Sequence, residues 1–163
     1  MNKNYSNLLG DIAIFGGVSQ DTIHFILSEA TLINKASKQY FFHENDIAEN
    51  MYILVSGEVE IVKIRNGNMY TISTLRKGEC FGEMAILDHY PRSASVRCSQ
   101  NCSALQIDIE CFEKLYQRDI KQFTILQMNL GREVCRRLRE ANDLLFQNEI
   151  DNPVSSFIGV QSL

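Results

Sequence analysis

The spacing of apolar residues changes twice along this chain of 163 residues, and the changes divide it into three parts. In residues 11–30, apolar side chains recur at intervals of three and four, which places them on one face of a helix: Ile23, Ile26, Leu27 and Ala30. Ser19 stands just before them, and serine is a favoured N-cap. We therefore predict helix in residues 11–30 and assign residues 1–30 to an N-terminal helical segment.

Residues 31–109 alternate between apolar and polar positions, as half-buried β-strands do. Val59 and Ile61 alternate with glutamates, and a second alternating run contains Leu105, Ile107 and Ile109. The dipeptide Asn66-Gly67 separates two strand-like runs and favours the positive φ angles of a type I′ turn. We predict a hairpin at this dipeptide and a small antiparallel barrel over residues 31–109.

Residues 110–149 return to helical spacing. An apolar stripe runs along them at intervals of seven, four, four, three and four: Phe123, Leu130, Val134, Leu138, Ala141 and Leu145. The stripe can pack on the barrel, on the same helix of a second chain, or on both. Pro153 marks the start of a tail, residues 150–163. The predicted fold is mainly β with flanking helices: an N-terminal helix, an antiparallel barrel or jelly roll of about eight strands, and a long C-terminal helix.

Composition narrows the functional classes. Apolar residues make up 45% of the chain, enough for a buried core, but none of its runs approaches the ~20 apolar residues of a membrane span. The first residues lack the pattern of a signal peptide, and the cysteine count is five, an odd number without framework spacing. A zinc site would need a second pair of ligands beside Cys98 and Cys102. We expect a cytoplasmic protein with reduced thiols and without a metal.

The charge balance argues against nucleic-acid binding. The net charge is −4, whereas nucleic-acid binders usually present a basic face. Four arginines do cluster within eight residues of the C-terminal helix: Arg132, Arg136, Arg137 and Arg139. We interpret them as a solvated helix face with pairs such as Arg136 and Glu140, four residues apart.

Residues 81–96 contain the pattern most indicative of chemistry. Gly82 permits a close approach of backbone to ligand, and one helical turn after it would present free N–H groups to an anion. Pro91 stiffens the chain before Arg92, whose planar fork matches a phosphate. A carboxylate only accepts hydrogen bonds, so Glu83 would suit a sugar hydroxyl beside that phosphate. The alternative interpretation is an ordinary turn with a solvated carboxylate and a surface arginine, which would contain the same residue types.

The same segment resembles the phosphate-binding cassette of cyclic nucleotide-binding domains, found in catabolite activator protein and in protein kinase regulatory subunits. The motifs that carry the resemblance are Phe81-Gly82-Glu83 and Pro91-Arg92-Ser93-Ala94-Ser95-Val96. Residues 51–59 resemble the strand-turn-strand signature of that family, and residues 15–19 resemble the entry to its first helix. The resemblance covers about residues 12–148. The chain departs from the family at Asn45, where glycine is usual, but asparagine tolerates the left-handed conformation.

The resemblance implies roles for individual residues. Arg92 would pair with the cyclic phosphate, and Glu83 would accept a hydrogen bond from the ribose 2′-hydroxyl. The remaining phosphate-side residues would act through backbone groups or a hydroxyl: Gly82, Met84, Ala85 and Ser93. Val59 and Ile61 would line the base. The base would be capped from the C-terminal helix by Arg137, Ala141 and Asn142.

The sequence therefore predicts a sensor of cyclic nucleotide, cAMP in preference to cGMP, without any cofactor. It would signal by moving its C-terminal helix toward an effector protein or a second copy of itself, and we expect it to act without an attached effector domain. Neither DNA nor a membrane is an expected partner. The alternative is a nucleotide-independent interaction scaffold with the same fold. An enzyme is not favoured, because a phosphodiesterase needs a metal cluster and Cys80 has no evident catalytic base in His89.

Overall fold

The computed structural model describes residues 3–151. The helices are α1 (Lys3–Gly10), α2 (Gln20–Glu29), α3 (Met84–Asp88), α4 (Ile109–Arg118) and α5 (Ile120–Asp151), with a 3₁₀ turn at Ala13–Phe15. The strands are β1 (Thr31–Lys35), β2 (Tyr40–Phe42), β3 (Asn50–Ser56), β4 (Glu58–Arg65), β5 (Asn68–Arg76), β6 (Cys80–Phe81), β7 (Ser95–Cys98) and β8 (Cys102–Asp108). The predicted order of helices, barrel strands and long C-terminal helix is confirmed.

The N-terminal helix is shorter than predicted. Ser19 is its N-cap, as expected, and the Ser19 hydroxyl accepts a hydrogen bond of 3.2 Å from the Thr22 N–H. Residues 11–18 do not join this helix, because Gly17 adopts a φ of 77°, which no α-helix contains. The prediction of helix in residues 11–18 was therefore wrong except for the 3₁₀ turn.

The eight strands form two antiparallel sheets of four. One has the order β1-β8-β3-β6 and the other the order β2-β7-β4-β5. The predicted hairpin joins β4 to β5, with φ angles of 54° at Asn66 and 76° at Gly67. The two positive φ angles fit a type I′ turn, so the prediction for this dipeptide is confirmed.

The sheet of β1, β8, β3 and β6 is covered on both faces. Leu105 and Ile107 share one face of β8, as their alternation predicted, and this face packs in the same core as the helices. Ala104, directly before Leu105, is also fully buried, against the other sheet. Ile109 was predicted to continue this strand and does not. It begins α4 instead, and its N–H donates to the Glu49 carbonyl at 2.8 Å.

Helix α5 lies on the helical side of the barrel over only its first half. Leu126 and Leu130 are buried there, whereas Leu138 and Leu145 are 59% and 64% exposed. The buried Asn129 amide fastens this half by donating to the Ile14 carbonyl at 3.0 Å and the Gly16 carbonyl at 2.8 Å. The predicted stripe is therefore divided into a packed part and a part that faces solvent. Most of the predicted tail, residues 152–163, lies outside the described residues.

Two further observations concern membrane-spanning helices and groups of metal-binding side chains. No helix within residues 3–151 combines the length and the apolar character that a membrane span requires. Across the same range, three or more histidine, cysteine, aspartate or glutamate side chains nowhere come together as metal ligands.

Candidate functional site

Residues 81–96 connect the two sheets. The chain leaves β6, bends at Gly82, forms the single short helix turn of α3, and returns through Pro91 and Arg92 to β7. Gly82 has a φ of 77°, and a Cβ atom there would lie 2.5 Å from Arg92 Nη1. The position therefore requires glycine for two reasons, its backbone conformation and the close approach of the arginine.

Arg92 lies inside this bend and is only 5% exposed. Its Nη1 donates to the Gly82 carbonyl at 2.8 Å, and its Nη2 donates to both the backbone carbonyl and the side-chain Oδ1 of Asn50, at 2.8 and 2.7 Å. The guanidinium carbon stands 3.9 Å from the centre of the Phe42 ring. All of these neighbours are uncharged, so the arginine is held in place without being neutralised.

Two features show that the charge of Arg92 is uncompensated. Its Nε is buried, and no hydrogen-bond acceptor is present for it among the described residues. Within the same part of the chain, no carboxylate lies at ion-pair distance from this guanidinium. Burial lowers the pKa of Arg92 below its ordinary value, although an arginine stays charged at neutral pH. The arrangement is a cation that lacks a counter-ion.

Glu83 is the buried carboxylate of the site, with 4% of the residue exposed. Arg137 of α5 donates to Glu83 Oε1 at 3.1 Å and to the Cys80 carbonyl at 2.7 Å. Burial raises the pKa of Glu83, and the charge of Arg137 opposes that rise. Arg137 was predicted to cap a base, and the structure brings it to the carboxylate of the cassette instead.

The turn that precedes the site braces it through the backbone. Asn45 has a φ of 70°, so it adopts the left-handed conformation that was expected in place of glycine. Its N–H donates to the Arg92 carbonyl at 2.9 Å, and the Arg92 N–H donates to the Asp46 carbonyl at 3.0 Å. The Glu44 N–H donates to Ser95 Oγ at 2.8 Å. These bonds fix the backbone on both sides of the arginine.

The other predicted site residues fall into two groups. On α3, Ala85 is buried and Met84 is exposed, and the exposed Ser93 places its Oγ 3.8 Å from Met84 Sδ. Val59 is fully buried on β4, and Ile61 is half-buried where it pairs with Val96 of the cassette strand. The second group, Ala141 and Asn142, is exposed on the outer half of α5.

Two residues that contact Arg92 were not predicted from the sequence. Asn50 comes directly before the strand signature of residues 51–59, and Phe42 ends the strand before the Asn45 turn. The only signal was their place next to recognisable motifs, because neither residue type by itself indicates a partner for an arginine.

Cys80 lies beside Glu83, but its thiol is not an activated one. Burial and the nearby carboxylates raise its pKa to about 12, so it stays protonated at neutral pH. The same holds for Cys111, whose pKa burial raises to about 12. These thiols lack the thiolate character that a nucleophilic cysteine requires.

Comparisons with known proteins identify a family and several relatives of this chain. The family model described as "Cyclic nucleotide-binding domain" matches residues 33–119, more than half of the chain. The chain is 30% identical over 146 residues to the cyclic AMP receptor protein of Thermus thermophilus, covering 87% of this chain and 66% of that protein. It is 26% identical over 165 residues to the potassium channel AKT3 of Oryza sativa, covering 93% of this chain but only 18% of the channel. The chain thus spans about a fifth of the plant channels it matches.

Solved structures agree with the fold. A cyclic nucleotide-binding domain from Methylobacillus flagellatus superposes with a TM-score of 0.80 at 21% identity, covering 89% of this chain and 84% of that one. The catabolite activator protein of Thermus thermophilus superposes with a TM-score of 0.71 at 29% identity, covering 84% of this chain and 64% of that one. Both comparisons extend well beyond the cassette into the flanking helices.

Proposed function

The chain belongs to the family of cyclic nucleotide-binding domains, and from that premise we propose that it binds a cyclic nucleotide at residues 81–96, with cAMP preferred to cGMP. The observation that carries this proposal is the state of Arg92. A buried cation is costly unless it is paired, and Arg92 meets only uncharged acceptors and an aromatic ring. The single negative charge of a cyclic phosphate would supply the missing counter-ion.

The surroundings of Arg92 suit the rest of a nucleotide. The first N–H groups of a helix have no partner within the helix, so those of α3 at Met84 and Ala85 would face the phosphate. The Glu83 carboxylate would accept the ribose 2′-hydroxyl. Val59 and Ile61 offer the apolar wall of the barrel to the base. The exposed Ser93 hydroxyl would contact the phosphate.

The choice of cAMP rests on this chain's relatives and not on a contact to the base. One relative is named for cyclic AMP, and another is a cAMP-dependent protein kinase regulatory subunit from Blastocladiella emersonii, 27% identical over 114 residues. That alignment covers 69% of this chain and 28% of the regulatory subunit. Ser93 is compatible with both nucleotides, so the preference has to be measured as the ratio of the affinities for cAMP and cGMP.

Calorimetric titration of nucleotide-free protein tests the proposal. We expect cAMP to bind with a micromolar or lower Kd, corresponding to about −8 kcal/mol or stronger. cGMP should bind more weakly, and 2′-deoxy-cAMP should lose about 5- to 100-fold because a hydrogen bond to a charged group is removed. Folded, nucleotide-free protein that released no heat with either nucleotide would favour the interaction scaffold. Equal binding of the 2′-deoxy compound would remove the role assigned to Glu83.

Ligand binding at the site would be transmitted to a recipient protein through α5. Arg137 joins this helix to Glu83 and to the Cys80 carbonyl, so a ligand on Glu83 touches the same carboxylate as the helix does. A ligand shifts a conformational equilibrium only by binding its two states with different affinity. We infer that the shared carboxylate would supply such a difference, and the recipient would be an effector protein or a second copy of this chain.

The exposed half of α5 is where we place a homodimer contact. Beyond the packed part, Leu138, Leu144, Leu145, Phe146 and Ile150 are each more than half exposed. Apolar positions such as Leu138, Ala141 and Leu145 lie at the three- and four-residue spacing of a coiled-coil seam.

Light scattering with and without cAMP tests the dimer. We expect a mass of twice the chain's 18.6 kDa, and a monomer for the Leu138→Glu, Leu145→Glu double variant. The matched control is the Tyr70→Glu, Ile72→Glu double variant, which places the same two charges at exposed apolar residues on β5. A monomeric mass for the unmodified chain under both conditions would refute the homodimer and leave an effector protein as the recipient.

We infer no catalytic role for the chain, since the family is one of binding domains and the buried Cys80 thiol beside the site is protonated. The cytosol is the compartment we propose, because five free cysteines suit a reducing environment. The acidic net charge of −4 supports the absence of direct DNA binding.

A further inference from the structure

Asn50 is the residue that determines how Arg92 is aimed. It stands at the start of β3, and Arg92 is 42 positions away in sequence. Both oxygens of Asn50 accept hydrogen bonds from Arg92 Nη2, at 2.8 and 2.7 Å, so one residue occupies both protons of that nitrogen. The Gly82 carbonyl accepts a hydrogen bond from the other terminal nitrogen, Nη1.

These hydrogen bonds and the Phe42 ring fix the orientation of the guanidinium in two ways. The oxygens of Asn50 and Gly82 set its rotation within its plane, and the Phe42 ring at 3.9 Å sets the plane itself. Of the five N–H groups of an arginine, three are thereby used. The buried Nε–H is one of the two that remain, and it has no acceptor among the described residues.

The chemistry of the Asn50 side chain matters as much as its place. Its amide oxygen is a neutral acceptor, which orients the cation and leaves its charge uncompensated. A carboxylate of the same shape at this position would form an ion pair with Arg92 at hydrogen-bond distance. Such a pair would stabilise the empty protein and remove the attraction for an anion.

We propose that Asn50 is a positioning residue for phosphate recognition, whose neutral amide aims the Arg92 Nε–H at one exocyclic oxygen of the ligand while keeping the arginine charged. This inference rests on the proposed function, because it needs a phosphate at Arg92. It predicts that Asn50 controls both the strength of binding and the discrimination between the two exocyclic oxygens of a cyclic phosphate.

The test uses two variants of the whole chain, Asn50→Ala and Asn50→Asp, and a matched control, Asn34→Asp. Asn34 lies on β1, and its Oδ1 accepts from Ser103 Oγ at 2.6 Å, so the control introduces the same charge at an asparagine outside the site. Calorimetry measures the Kd for cAMP and for its Rp and Sp phosphorothioates, in which sulfur replaces one or the other exocyclic oxygen.

We expect Asn50→Asp to weaken cAMP binding by about 10-fold or more and to raise the thermal midpoint of the nucleotide-free protein. Asn50→Ala should weaken binding by about 3- to 10-fold and reduce the Rp/Sp affinity ratio severalfold, because the guanidinium is free to turn. The Asn34→Asp control should stay within about twofold, since salt screens distant charges. In an Arg92→Ala background, the effect of Asn50→Ala should disappear.

The outcomes separate the two proposals. If the unmodified chain binds cAMP and both Asn50 variants retain its Kd and its Rp/Sp ratio, Asn50 has no positioning role, and the proposed function stands. If Asn50→Ala lowers affinity equally with and without Arg92, its effect is a general loss of structure and the inference fails. If the unmodified chain binds no cyclic nucleotide, the proposed function fails, and this inference fails as well because it depends on that function.

Discussion

Replacing Arg92 with alanine should weaken cAMP binding by about 30-fold or more, because truncating one partner of a buried charge pair typically costs about 2–5 kcal/mol. The physical reason is the burial of this cation, which is 5% exposed and contacts only neutral acceptors. In the complex, the ligand phosphate would be its counter-ion. Without the arginine, that phosphate would be desolvated against carbonyl oxygens that repel it.

The measurement is a calorimetric Kd for the unmodified chain and the variant, with thermal denaturation to verify that the variant folds. Arg92→Gln provides a second variant that keeps most of the side-chain length and removes the charge. Arg97→Ala is the matched control, since Arg97 lies on β7, the strand that follows Arg92, and pairs with Glu60 at 2.9 Å outside the site. Wild-type affinity in the two Arg92 variants would refute the location of the phosphate site.

Replacing Arg137 with alanine should lower the free energy of unfolding of the nucleotide-free protein by about 2–3 kcal/mol, toward the lower end of what breaking a buried ion pair costs. The change removes the partner of Glu83, whose side chain is 5% exposed, while the Arg137 side chain is itself 25% exposed. It also leaves the Cys80 carbonyl without the hydrogen bond of 2.7 Å that Arg137 donates.

This loss should depend on pH in a defined direction. Burial already raises the pKa of Glu83, and removal of Arg137 raises it further. A carboxyl group whose pKa is raised by folding destabilises the native state in its charged form, so its stability contribution is lost as pH increases through the raised pKa. The deficit should therefore be largest near neutral pH and smallest below about 4.3, the ordinary pKa of a glutamate.

Chemical denaturation across this pH range measures the effect. The matched control is Arg76→Ala, an arginine on β5 that pairs with Glu58 at the surface and whose side chain is 79% exposed. Surface pairs of this kind contribute about 0.2–1 kcal/mol, so the control should lose little. Equal losses for the two arginines, or a deficit for Arg137→Ala that does not change with pH, would contradict a buried link between α5 and the cassette.

The sequence by itself determined the features that depend on local backbone preference. Asn66-Gly67 specified a hairpin turn, Ser19 specified a helix start, and Asn45 was expected to accept a positive φ. Each follows from what a residue and its nearest neighbours can adopt, so no distant contact is needed to predict it. Within residues 81–96, the same holds for Gly82, which adopts a φ of 77°, and for Pro91, whose ring restricts its own φ.

Only the tertiary structure decided which residues meet. Asn50 reaches Arg92 across 42 positions, and Arg137 reaches Glu83 across 54. The apolar stripe of α5 was visible as a pattern, but the pattern could not say that Leu130 is covered and Leu145 exposed. Periodicity identifies the face of an element and not the surface that covers it. That surface depends on the register between elements far apart in sequence, which the folded barrel alone determines.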